Sequence, residues 1–110
     1  MTAVLVTVTR YFETFTHALT PDYPGWVECV LTDAAGVEHV FVEKVPIVTA
    51  EDLDASSDYP RPATLACEIV EQHILQEGRE RVTIDTERPW GIESTKELSR
   101  FVVFAEQLVE

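Results

Sequence analysis

The chain has 110 residues, 45% of them hydrophobic and only four of them glycine, which is one domain's worth of chain with one core and excludes a disordered tail or a low-complexity linker. Twenty acidic side chains against eight basic ones give a formal charge of −12, a balance that opposes binding to nucleic acid or to anionic membrane surfaces and favours encounter with a basic protein. No run approaches the roughly 18 uninterrupted apolar residues of a membrane span, and the opening MTAVLVTVTR carries no basic leader, so the expectation is a soluble, cytoplasmic protein.

Thr2–Leu19 is rich in Val, Thr, Phe and Tyr and free of Gly and Pro, which is strand composition. It is too long for one flat strand. A bend near Arg10 divides it into a run containing Val4, Val6 and Val8 and a second run in which Tyr11, Phe15 and Leu19 share a face. TPDYPG at Thr20–Gly25 is a loop.

Trp26–Lys44 carries the clearest local signal. Asp33 can accept hydrogen bonds from its own turn, Ala34 and Ala35 fit the central positions of a type I turn, and Gly36 supplies the positive φ required after them. This predicts a β-hairpin with a glycine bulge, closed by Asp33 and Val37. That register sets Leu31 opposite His39 and Cys29 opposite Phe41, with Val27 continuing the same face. The other face mixes apolar and charged groups, so part of it should be covered.

After Lys44, Pro46 denies a ladder hydrogen bond. Thr49 and Asp52 have capping-box spacing, which predicts one helical turn at Ala50–Leu53. Glu51, Asp52, Asp54 and Asp58 lie close in sequence, yet their spacing is not that of a calcium loop. Ser56–Pro62 is a second loop. Along Ala63–Leu75, Leu65, Cys67 and Ile69 share one face while Val70 and Ile74 belong to the other. A bulge near Ile69 or Val70 reconciles this with a strand, and a helix is the rival reading. Gln76–Arg79 reads as a turn, and Arg81–Asp85 as a strand with Val82 and Ile84 inward and Arg81, Thr83 and Asp85 outward.

Thr86–Ser94 is a loop in which Pro89 and Gly91 bracket Trp90. A tryptophan so held plugs the end of a barrel in one reading and faces a ligand in the other. Ser94 and Glu97 fit a capping box for a short turn, and Arg100–Val109 reads as a strand inside a closed sheet. The sum is an all-β, mostly antiparallel barrel of about six or seven strands with one or two short helical turns, formed by residues 1–110 as a single domain.

The search for chemistry returns little. Cys29 and Cys67 fall in separate strands outside any CxxC, which favours free thiols over a disulfide, zinc or redox motif. His17, His39 and His73 lie on three different strands and lack ligand spacing. There is no phosphate loop, nucleophile elbow or HExxH. The sequence thus predicts no catalytic residue, no metal ligand and no cofactor.

Taken together, D-A-x-G-x-x-H-x-F at Asp33–Phe41, E-K-x-P at Glu43–Pro46, Tyr59-Pro60, Cys67 and the T-x-x-P-W-G-I-E-S run ending at Ser94 resemble a group of small, largely uncharacterised bacterial proteins with barrels of the type found in domain 2 of translation elongation factors. The resemblance covers most of the chain after Trp26 and implies architecture only, with no catalytic residue. The expected function is non-catalytic recognition: an accessory or immunity-type partner of a basic protein, compatible with a homodimer, touching its partner through an edge strand or through a loop formed by Glu87, Arg88, Trp90 and Glu93. The alternative is a small-molecule binder or minor hydrolase using Trp90 with Glu87 and Glu93.

Overall fold

A computed structural model describes residues 2–12, 15–16, 20–21, 25–73 and 78–110. His17, Leu19, Ile74, the turn residues Gln76 and Glu77 and the side chain of Phe15 lie outside the described residues.

The first strand, β1 (Ala3–Phe12), buries Val4, Val6 and Val8 on one face. Its register shifts between Val8 and Arg10, where the bend was expected. β2 (Phe15–Thr16) and β3 (Thr20–Pro21) form a two-residue ladder. The hairpin of β4 (Trp26–Thr32) and β5 (Glu38–Lys44) has the register read from its turn: Leu31 pairs with His39, Cys29 with Phe41 and Val27 with Glu43. Val27, Cys29, Leu31 and Phe41 are fully buried, so the alternation of period two carries this face into the core.

The helical turn comes earlier than expected. It is α1 (Val45–Val48), not Ala50–Leu53. Pro46 sits in its first turn, where no intrahelical N–H is needed, and Val45 and Val48 are buried beneath it. Thr49 ends this turn by donating its backbone N–H to the Val45 carbonyl (3.1 Å), and its hydroxyl accepts from Glu51 N rather than Asp52. Two of the neighbouring acids have structural partners. Asp54 accepts from the Ser56 N–H (2.8 Å) and hydroxyl (2.7 Å), and Glu51 pairs with Arg61.

Ala63–His73 is strand, not helix. β6 (Arg61–Ala66) pairs with β1, and β7 (Glu68–His73) pairs with β8 (Arg81–Asp85) across a register shift between Ile69 and Glu71, where the phase slip predicted a bulge. β9 (Arg100–Phe104) pairs with β8 and forms the edge of its sheet rather than the middle of a closed one. A 3-10 turn at Ala105–Gln107 then leads to β10 (Leu108–Val109), which pairs with the start of β1.

The architecture is all-β and mostly antiparallel, in two main sheets: β6, β1, β4 and β5 with β10 beside β1, and β7, β8 and β9. Among the described residues the ladders do not close into the single barrel expected from sequence. The difference arises at Cys67, whose N–H still bonds to Thr2 of the first sheet (3.0 Å) while the next residue, Glu68, already pairs with Asp85 in the second. One strand segment therefore serves two sheets, as does the β9–β10 segment. The core lies between the sheets, with Leu31, Phe41 and Leu65 from one meeting Ile84, Phe101 and Val103 from the other. The Phe41 and Phe101 rings meet edge to face at 5.7 Å.

Cys29 and Cys67 are free and buried. Burial, helped by Glu43 and Glu28, pushes the Cys29 thiol up to about 12, and burial alone pushes Cys67 up to about 11. Neither is a nucleophile near neutral pH. Thiol titration is expected to find both groups unreactive in the native protein and both reactive after unfolding. Phe41→Ala is expected to lower unfolding free energy by about 3–5 kcal/mol in a denaturant titration, because it opens a cavity at the meeting point of the two sheets.

Candidate functional site

The sequence-selected loop is built on Thr86, a fully buried polar residue at the end of β8. Its hydroxyl donates to the Ile92 carbonyl (2.8 Å) and its N–H to the Ser99 carbonyl (2.9 Å), while Ile92 N–H returns to the Thr86 carbonyl (3.0 Å). Gly91, at φ 66°, makes the reversal and donates to Glu87 O. These bonds draw Ile92 inward. The plug is therefore Ile92, 2% exposed, and not Trp90, which stands 51% exposed.

Glu87, Arg88 and Glu93 are exposed as well, and no ion pair joins them among the described residues. Asp85 also departs from expectation, because it is buried rather than outward. Burial raises its pKa, but the Glu87 N–H (2.9 Å), the Ser99 hydroxyl and Arg100 outweigh that and hold the carboxyl below its ordinary value. The Ser94–Glu97 capping box is replaced by a non-helical turn: Ser94 Oγ accepts from Lys96 and Leu98 N–H, and Glu97 adopts φ 62°. From that turn Thr95 N–H donates to the Val40 carbonyl (2.8 Å), covering part of the edge of β5.

Beside the Trp90 loop lies β7, exposed from Glu68 to Gln72, including its apolar residues Ile69 and Val70. A pocket of about 510 Å³ is lined by Thr2, Cys67, Glu68, Ile69 and Pro89, so the root of the loop and the start of β7 border one depression.

A second pocket, of about 350 Å³, was not visible in the sequence. The hairpin turn (Asp33, Ala34, Ala35) and His39 form one wall, and Arg81, Arg100, Phe101 and Val102 form the other. The walls are joined by Ala34 N–H donating to the Val102 carbonyl (2.8 Å). His39 Nε2 lies 2.8 Å from Asp33 Oδ2, and its ring packs on Phe101 at 4.7 Å. The lining contains no serine, threonine or cysteine, so no side-chain hydroxyl or thiol stands beside the Asp33–His39 pair in this pocket. Among the described residues no group of three His, Cys, Asp or Glu side chains could hold a metal. His73 instead meets the Thr83 hydroxyl at 3.1 Å.

No protein-family model, no curated protein and no solved structure matches the chain.

Burial raises the Asp33 pKa, but the hydrogen bonds from His39, Val37 N–H and Ala35 N–H win and hold it below the ordinary 3.8. A depressed carboxyl stabilises the fold fully above the unfolded value, and that contribution is lost as pH falls through the folded one. Stability of the parent is therefore expected to fall below about pH 4, and that acid limb is expected to be shallower in Asp33→Asn, measured by denaturant unfolding at stepped pH.

Proposed function

We propose that this chain is a non-catalytic recognition module whose contact surface is the Trp90 loop with the adjoining strand β7. The observation that carries this reading is the exposed Trp90 on a loop whose backbone is pinned through buried Thr86. A large aromatic side chain presented on fixed backbone loses little conformational freedom on binding, and such residues dominate the energy of interfaces. Exposed Ile69 and Val70 extend the apolar surface, and Glu68, Glu71, Glu87 and Glu93 surround it with acidic groups. The −12 charge adds steering toward a basic partner.

On this reading the protein acts in the cytoplasm as an accessory or immunity-type partner of a basic protein. The resemblance to elongation-factor domain 2 barrels concerns architecture and assigns no activity. Affinity capture from native cell extract, repeated at high salt and with Trp90→Ala, tests the reading. A partner should associate more slowly as salt rises, and Trp90→Ala should weaken capture at least about tenfold. If no protein is captured while a metabolite produces a thermal shift that Trp90→Ala abolishes, a small-molecule site at this loop takes its place.

A further inference from the structure

We infer that the pocket between the hairpin turn and β9 is a binding site for a small molecule carrying a doubly charged oxyanion group, a phosphate ester or a dicarboxylate. The chain has eight basic residues against twenty acids, so an arginine without a carboxylate is the exception in a surface where acids outnumber bases. Arg10, Arg61, Arg79 and Arg100 each have an acidic partner. Arg81 and the exposed Arg88 have none among the described residues, and of the two it is Arg81 that is half-buried, with its guanidinium 5.6 Å from the centre of the Phe104 ring. It lines the same pocket as Arg100.

Arg100 is only partly used. Its Nε reaches Asp85 Oδ2 at a long 3.4 Å, and its terminal nitrogens make no hydrogen bond or ion pair among the described residues. The one carboxylate in the lining, Asp33, is already engaged on both oxygens. Oδ1 accepts from Ala35 and Val37 N–H (2.9 Å each), and Oδ2 faces His39. Its carboxylate stays charged, with both oxygens occupied. The pocket lining therefore combines two arginines, Arg81 and the partly paired Arg100, with the apolar residues Ala34, Ala35 and Val102. Planar guanidinium forks match the oxygens of phosphate and carboxylate. Acids beyond about 8 Å are screened at physiological salt, and Asp33 and Asp85 offset the formal charge of the two arginines, so Arg81, which has no carboxylate of its own, is the cation an anion would meet. The site is distinct from the Trp90 loop, and its test does not depend on that reading.

The experiment is an NMR titration of the folded chain with inorganic phosphate and with malonate, each against sodium chloride at equal ionic strength. Saturable amide shifts confined to Ala34, Ala35, His39, Arg81 and Val102 are expected with at least one of the two anions and not with chloride. Whichever binds more tightly tells a phosphate ester from a dicarboxylate. Arg81→Gln removes no ion pair and should keep the spectrum of the folded protein while weakening binding at least fivefold. Arg81→Lys should restore part of the loss. Shifts that never saturate, that chloride reproduces, or that persist unchanged in a folded Arg81→Gln would overturn the assignment.

Discussion

The Asp33 carboxylate is the group on which the arrangement of both sheets depends. Its Oδ1 takes two backbone N–H groups of the turn and its Oδ2 meets His39, while its own N–H donates to the Val37 carbonyl (2.9 Å). Hydrogen bonds to a charged acceptor contribute about 1.5–3 kcal/mol, roughly twice the neutral kind. They fix the register of β4 against β5. A slip of one residue would turn Cys29, Leu31 and Phe41 to water, so the burial of these side chains and the geometry of the turn enforce the same pairing. The turn so held presents Ala34 N–H to Val102 in the other sheet, and His39 packs its ring on Phe101. One side chain thus sets a local register and a long-range contact.

The parts of the fold legible in the sequence were those decided over a few residues. The hairpin could be read because an aspartate and a positive-φ glycine leave few other turns open. The breaks in β1 and β7 were visible as changes in the phase of alternation, since an extra residue in one strand moves the later side chains to the other face. Where competing short-range signals met, burial decided. The Thr49–Asp52 capping pattern lost to Val45–Val48, whose valines reach the core. Asp85 has an outward position by alternation, but as the last residue of β8 it turns into the following loop and accepts from Glu87 N–H. Trp90 was the natural plug by size. The hydrogen bonds of Thr86 instead select Ile92, two residues on, and an offset of that kind inside one turn leaves no trace in composition. The arginine-lined pocket was beyond reach for a different reason: its walls come from positions 33–39 and 81–102, and only the pairing of the hairpin tip with β9 brings them together.

The charge of the chain belongs to its surface more than to its fold. Among the described residues, three of the five ion pairs join side chains of which at least one is more than half exposed and neither is deeply buried, and pairs of that kind contribute about 0–1 kcal/mol. The other two, Asp33 with His39, an ion pair only when the histidine is protonated, and Asp85 with Arg100, have backbone N–H donors in addition, so their carboxylates are satisfied from several sides. Stability rests mainly on the apolar layer between the sheets, while most of the acids remain in water. An acidic surface of this kind is free to serve association.

Asp85 connects the two candidate surfaces physically. One of its oxygens accepts from Glu87 N–H at the root of the Trp90 loop, and the other faces Arg100 at the wall of the arginine pocket. An anion drawing Arg100 away would leave Asp85 with its backbone donor and the Ser99 hydroxyl, so the loop would keep its main support. Loss of Asp85 would act in both directions, freeing Arg100 and removing the acceptor that orients Glu87. The Asp33–His39 pair lies on the pocket side, whereas Thr86 holds both the loop, through Ile92, and Ser99 beside Arg100. The surfaces are therefore separable through Asp33 and joined through Asp85 and Thr86, a distinction set by where each hydrogen bond ends.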